Sequence, residues 1–141
     1  MTRRPVTLPS WAILLLSVCA AAPALAAFDE GLPYPTQVAL SQEGDKGFVF
    51  RRFPTSQRLY IYDLDSDGHS ACNDGCLGAR PPVIAPAGAK PMGEWTTIRR
   101  EEGRLQWAYR GHPVYTFFHD GPSEPHGDGE GGVWHLMPYE K

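Results

Sequence analysis

Residues 95–118 read Trp95-Thr96-Thr97-Ile98-Arg99-Arg100-Glu101-Glu102-Gly103-Arg104-Leu105-Gln106-Trp107-Ala108-Tyr109-Arg110-Gly111-His112-Pro113-Val114-Tyr115-Thr116-Phe117-Phe118, and this stretch decides the fold. The runs 95–100, 104–109 and 114–118 are rich in aromatic and β-branched residues. Glu101-Glu102-Gly103 and Arg110-Gly111 supply turn chemistry between them, so the spacing predicts an antiparallel meander. A glycine-rich loop follows, and residues 133–137 predict a closing strand. Upstream, the runs 48–53 and 58–63 flank Pro54-Thr55-Ser56-Gln57 and predict a hairpin. In the second run Tyr60 and Tyr62 point to one face and Leu59 and Ile61 to the other, so both faces are expected to be covered. Residues 72–92 carry Pro81-Pro82, Pro86 and Pro91 and predict irregular chain. No stretch of the mature chain shows a helical period. The 15 Gly and 14 Pro among 141 residues weigh further against long helices.

The beginning of the chain has a different character. Two arginines, Arg3 and Arg4, precede an apolar run over residues 11–22 and a small-x-small site at Ala24-Leu25-Ala26, the order of parts in a cleaved export signal. The apolar run is too short to span a bilayer. The expected organisation is a signal peptide over 1–26, an extended or loosely packed arm over 27–47, and a single β domain over 48–141. Loss of Arg3 and Arg4 from the 13 Lys+Arg, against 16 Asp+Glu, leaves an acidic mature chain that would repel phosphate backbones and anionic lipid. Nucleic acid is therefore not an expected partner. Membrane attachment is expected only if Cys19, in the weak lipobox Leu16-Ser17-Val18-Cys19, is acylated. The mature chain keeps Cys72 and Cys76, an even pair for an oxidising compartment, read as a structural disulfide.

Self-comparison finds Leu59-Tyr60-Ile61-Tyr62-Asp63-Leu64-Asp65 and Val114-Tyr115-Thr116-Phe117-Phe118-His119-Asp120 in register, 55 positions apart. Both fit Tyr-x-aromatic-x-x-Asp. The motif residues are Tyr60, Tyr62 and Asp65 in the first copy and Tyr115, Phe117 and Asp120 in the second. Aromatics at i and i+2 lie on one face of a strand, and an Asp beyond them can accept hydrogen bonds from amides of the following turn.

With both motif copies go Ser70-Ala71-Cys72-Asn73-Asp74-Gly75-Cys76 leading to Pro81-Pro82, then Gly93-Glu94-Trp95, then Gln106-Trp107-Ala108-Tyr109-Arg110-Gly111-His112-Pro113-Val114-Tyr115. Gly127-Asp128-Gly129 and Val133-Trp134-His135 complete the succession. From about residue 57 to residue 137 the chain resembles a bacterial secreted-repeat family of unknown function, described as predicted lipoproteins with a Tyr-x-(Phe/Trp/Tyr)-x-x-Asp motif. Arg80 stands where that family usually carries Trp. The resemblance implies an exported, mostly β domain, and it brings no activity, substrate or catalytic residue.

Asp63-x-Asp65-x-Asp67-Gly68, with Asp74 at the twelfth position, matches half of a calcium loop, since alternate oxygen ligands can converge on a hard cation around a glycine turn. The flanks read as strand where an EF-hand has helices, and the bland reading is an acidic turn. His69, Cys72 and Cys76 offer copper or zinc two thiolates and an imidazole, provided the thiols stay reduced. His112, His119, His126 and His135 lack the short spacings of a zinc pair. Ser70 and Ser123 lack a nucleophile-elbow context. The aromatics, Trp95, Trp107 and Trp134 among them, read as core before they read as a stacking surface.

The expectation is an all-β class: a small antiparallel sheet or barrel-like domain from two related strand–turn units, with long Pro/Gly loops and one disulfide. Its expected role is that of an exported periplasmic envelope protein, non-enzymatic and binding or structural, with an envelope protein or small ligand as partner and no cofactor. The alternative is a metal protein, with calcium at Asp63, Asp65, Asp67 and Asp74 or copper at His69, Cys72 and Cys76.

Overall fold

The computed structural model describes residues 33–121 and 125–137. The export signal with its cleavage site, Cys19, Ser123 and the first part of the arm lie outside the described residues. Among the described residues there is no α-helix. Strands alternate with 3-10 turns at Gly44–Lys46, Asp74–Gly78 and Glu130–Gly132.

The hairpin predicted from residues 95–109 is present. Strand β5 (Trp95–Arg99) pairs antiparallel with β6 (Leu105–Tyr109), Trp95 opposite Tyr109 and Arg99 opposite Leu105. Its turn closes through Gly103 N–H to Arg100 O at 2.8 Å, with Gly103 at φ +87°. Next, Arg110 (φ +49°) and Gly111 (φ +84°) form a two-residue turn with both φ positive, the geometry that matches strand twist. It returns the chain as β7 (His112–Pro113), on the edge of β6 whose other end carries β4 (Ile84–Ala85). The predicted strand over 114–118 exists only as bridges from Tyr115 to Tyr60 and to Pro82.

The upstream segment pairs differently from the expectation. Strand β2 (Phe48–Arg52) takes as its partner β1 (Val38–Gln42), Leu40 opposite Phe50, and not the run 58–63. Five residues of the segment read as an arm, Val38–Gln42, are therefore a paired strand, because Val38 buries its side chain beside Phe50. From the 53–57 turn only a short contact with β2 remains, a bridge between Arg51 and Arg58. The chain then leaves as β3 (Tyr60–Tyr62), which pairs with β8 (Trp134–Leu136), Tyr62 opposite Trp134.

That departure follows from two cores on opposite sides of one strand. Leu59 and Ile61 pack in a cluster with Phe50, Trp95, Trp107 and Val114. Tyr60 and Tyr62 pack in a second with Val49, Phe117 and Trp134. A strand with apolar side chains on both faces buries them only between two layers, whereas a hairpin at the rim would leave one face wet. The barrel-like closure expected from sequence does not occur. Among the described residues the strands form small antiparallel sheets of two, two and four strands, because strands of two to five residues are too short to wrap one continuous sheet around a core. The Tyr115 bridges join the β3–β8 pair to the four-stranded sheet, and the Arg51–Arg58 bridge links β2 to the run before β3.

Candidate functional site

The two motif copies meet at the centre. Tyr60 and Tyr115 face each other antiparallel and exchange both backbone hydrogen bonds, Tyr60 N–H to Tyr115 O at 2.8 Å and Tyr115 N–H to Tyr60 O at 3.0 Å. Each phenol then reaches the carboxylate of the other copy. Tyr60 donates to Asp120 (2.7 Å to Oδ2, 2.8 Å to Oδ1), and Tyr115 donates to Asp65 Oδ2 at 2.8 Å. The copies are thus locked reciprocally about a local two-fold. Both tyrosines are fully buried. Burial, joined by the bond to Asp120 at Tyr60 and by the neighbouring Asp65 charge at Tyr115, pushes both phenols well above their usual range. They stay protonated, and a protonated phenol is a donor.

The acids also accept from the turn beyond them. Asp65 Oδ1 takes the amide of Ala71 at 2.7 Å, and Asp120 Oδ1 that of Gly127 at 3.4 Å. Burial nonetheless holds the Asp65 carboxyl above its ordinary value, against the bonds from Ala71 and Tyr115.

Three buried arginines brace this centre. Arg100, beside the Tyr115–Asp65 lock, donates to Gln106 Oε1 (2.6 Å), Cys72 O (2.9 Å), Asn73 Oδ1 (2.8 Å) and Ser70 Oγ (3.2 Å), and Ser70 Oγ lies 2.7 Å from Tyr115 Oη. Arg58, beside the Tyr60–Asp120 lock, donates to Gly121 O at 2.9 Å and through Nε to Glu43 Oε1 at 3.0 Å, while Glu43 also pairs with Arg51. The bond from Arg58, helped by the charges of Arg51 and Arg58 against burial, holds the Glu43 carboxyl below its ordinary value. Arg80 sits over three rings, 3.9 Å from the Phe117 centroid, 4.3 Å from Trp134 and 5.0 Å from Tyr60, and pairs with Glu130. A cation over ring faces is attracted by their quadrupoles. The packing leaves no room at Gly127, where a Cβ would come within 2.6 Å of Arg80 Nη1 and 2.8 Å of Phe117.

The other sequence candidates separate. Cys72 and Cys76 are joined in a disulfide with Cα atoms 5.3 Å apart, and Cys72 is buried against the second core. Neither sulfur is a thiolate in this state, and the His69 ring bonds to Asp67 O at 3.1 Å. Of the four acids read as a calcium loop, Asp65 is engaged in the lock and Asp63 bonds His135 Nε2 at 2.7 Å. Asp67 lies against Gly111, where a Cβ would collide with its carboxylate, and Asp74 starts the 3-10 turn at Asp74–Gly78. Among the described residues no group of three or more His, Cys, Asp or Glu side chains is placed to hold a metal ion. His112, His119 and His126 are exposed.

Sequence reasoning missed Arg58, Arg100 and Glu43, and singled out Arg80 only as standing where the resembled family carries Trp. Arg58 shares strand parity with Tyr60 and Tyr62, which is a signal of a kind, but the exposed Arg99 sits in equally strand-like surroundings. The chemistry this arrangement performs is cohesive: donors and acceptors meet one another inside the fold.

No curated protein and no solved structure is significantly similar to the chain. Residues 96–137, which run from β5 through β8, match the family model Lipoprotein_15, a secreted repeat of unknown function.

Proposed function

We propose that the chain is an exported domain of the cell envelope, residing in the periplasm after cleavage near Ala26, and that it works by binding and not by catalysis. The description of the matching family as secreted supports an extracellular or envelope location. Its partner is an envelope protein or a small ligand; the acidic balance of the mature chain disfavours nucleic acid. Contact with the membrane enters only through acylation of Cys19.

The observation that carries this reading is the engagement of the Tyr60 and Tyr115 hydroxyls and of the Asp65 and Asp120 carboxylates inside the fold. Catalysis requires a nucleophile or base within reach of a substrate atom, usually in a concave site. Tyr60, Tyr115, Asp65, Asp120 and Ser70 are each bonded to another group of the fold. They support a rigid frame, and a rigid frame that presents surfaces is what a binding module needs.

The test is export of the full chain under its own signal, followed by osmotic-shock fractionation, intact mass, and assay of the purified protein on chromogenic ester, glycoside and phosphoester substrates. A periplasmic protein starting at Ala27, lighter by the two hydrogens of one disulfide and without turnover, supports the reading. Cytoplasmic retention, or a turnover abolished by Ser70→Ala, overturns it.

A further inference from the structure

Beyond the motif centre, one groove combines an apolar floor with free positive charge. It has a volume of about 520 Å³ and is lined by Ile84, Ala85, Pro86, Ala87 and Leu105, with Arg99 and Arg104 beside them. The register explains the composition. Ala85 is opposite Leu105 and Leu105 is opposite Arg99, so the three residues form one row across β4, β6 and β5 and share a face. Towards the other end of the strands that same face carries Trp107, Trp95 and Tyr109 of the first core. At the groove the core runs out: Ala85 is buried, Leu105 half-buried and Arg99 exposed.

Both guanidiniums keep donors for a ligand. Arg99 uses Nη1 on Gly103 O at 2.8 Å, and Arg104 uses Nη2 on Glu102 Oε1 at 3.1 Å, an acid that also accepts from Arg100 Nε at 3.0 Å. The turn holds Arg99, Arg100 and Arg104 against Glu101 and Glu102, a local positive excess on a chain that is acidic once Arg3 and Arg4 are removed. None of the groove's side chains is a hydrogen-bond acceptor. A ligand with N–H or O–H groups along its body would therefore bury them without a side-chain partner, at a cost. The volume lies in the range of small-molecule sites.

We propose that this groove binds an amphiphilic monoanion, a medium-chain acyl carboxylate. Its hydrocarbon lies along Ile84, Pro86, Ala87 and Leu105, and its carboxylate is held by Arg99 and Arg104. The proposal rests on the reading of the chain as a binding module and names the ligand class for it. Failure here would remove the ligand and leave that reading, which has its own localisation and turnover test, standing.

Isothermal titration calorimetry of the full mature chain with decanoate below its micelle concentration tests the site. Saturable one-to-one binding is expected, weakened by added salt because the charges are exposed. The double variant R99Q/R104Q should bind about tenfold more weakly, as loss of hydrogen bonds to a charged group implies. Ala87→Asp, which sets a negative charge in the groove at an exposed position, should abolish binding, and both variants should melt like the parent protein. Decyltrimethylammonium, with the hydrocarbon but the opposite charge, and inorganic phosphate, with the charge but no hydrocarbon, should not bind. No heat with decanoate, equal binding of decyltrimethylammonium or phosphate, or indifference to R99Q/R104Q overturns the proposal. So does binding to phosphatidylglycerol vesicles in the absence of any binding to monomeric decanoate, which would assign the arginines to a bilayer surface.

Discussion

Replacing Tyr60 or Tyr115 by Phe removes one hydroxyl from one half of the reciprocal lock and leaves the ring in place. The two losses are not equal. Without the Tyr60 hydroxyl, Asp120 retains the Gly127 amide at 3.4 Å, a bond near the limit of useful length. Without the Tyr115 hydroxyl, Asp65 retains the Ala71 amide at 2.7 Å, and Ser70 retains Cys72 O at 3.1 Å and Arg100 at 3.2 Å. A hydrogen bond to a charged partner contributes about 1.5–3 kcal/mol, so Tyr60→Phe belongs at the upper end of that range and Tyr115→Phe at the lower. At about 4 °C per kcal/mol for a domain of this size, Tyr60→Phe should lower the melting temperature by roughly 8–12 °C and Tyr115→Phe by roughly 6–8 °C. Double-mutant cycles in urea then locate the coupling. Tyr60→Phe with Asp120→Ala should show an interaction of about 1.5–3 kcal/mol, and Tyr60→Phe with Asp65→Ala should be additive to within about 0.5 kcal/mol. Coupling that is stronger within a copy, Tyr60 with Asp65 or Tyr115 with Asp120, would refute the exchange between copies.

Four further outcomes follow from the same geometry. Glu43 has a carboxyl held below its ordinary value of 4.5, so its contribution to stability is present above pH 4.5 and is lost as pH falls through the lower, folded value; Glu43→Gln should flatten the acid limb of a pH–melting curve, and an unchanged limb would contradict the assignment. Arg80 keeps Nε and Nη1 buried without a hydrogen-bond partner, so Arg80→Met, which fills the space among the rings without a charge, should be neutral or stabilising, while Arg80→Ala should cost about 2–4 kcal/mol for the cavity it leaves; a Met variant as unstable as Ala in chemical unfolding would show that the charge itself is needed. Cys72→Ser should lower stability by about 2 kcal/mol, the chain-entropy value for so short a loop, and thiol alkylation of the unfolded, unreduced parent should label neither cysteine. Because Asp63 is taken by His135 and Asp65 by Tyr115 and Ala71, EDTA should leave the melting temperature unchanged; a fall that Asp65→Ala abolishes would establish calcium.

What the sequence made legible was local. The hairpin of β5 and β6 could be read because alternating apolar side chains, Gly103 and the Arg110-Gly111 pair all sit within a window of fifteen residues or so and agree with one another. The acidic turns could be read for the same reason: Asp65 and Asp120 find amides a few positions downstream, at Ala71 and Gly127. Partner choice was not legible. Residues 48–53 are as compatible with the strand before them as with the run after them, and only the two cores on either side of Leu59 and Tyr60 decide that β2 pairs with β1. Nor could buried arginines be told from exposed ones. Arg58, Arg80 and Arg100 are bought by partners dozens of positions away, Gly121, Gly127 and Cys72, and no local pattern encodes such distances.

The exchange also gives a physical reason for the repeat itself. Antiparallel pairing at Tyr60 and Tyr115 sends the turn of each copy back past the start of the other. Asp120 consequently borders the same cleft as Arg58 and the 55–57 turn, while the loop after Asp65 meets Gly111 through Gly68 N–H at 3.1 Å. Both locks close together only if the step from Tyr to Asp is the same in each copy, and it is. The segment that matches the secreted-repeat family, residues 96–137, contains Tyr115 and Asp120 but neither Asp65 nor Tyr60. It also contains β8 but not its partner β3. One copy of the motif therefore presents a buried donor, a half-buried acceptor held otherwise only by the long Gly127 contact, and a strand edge that the other copy pairs, and since leaving such groups unmade is costly, the two copies favour folding together.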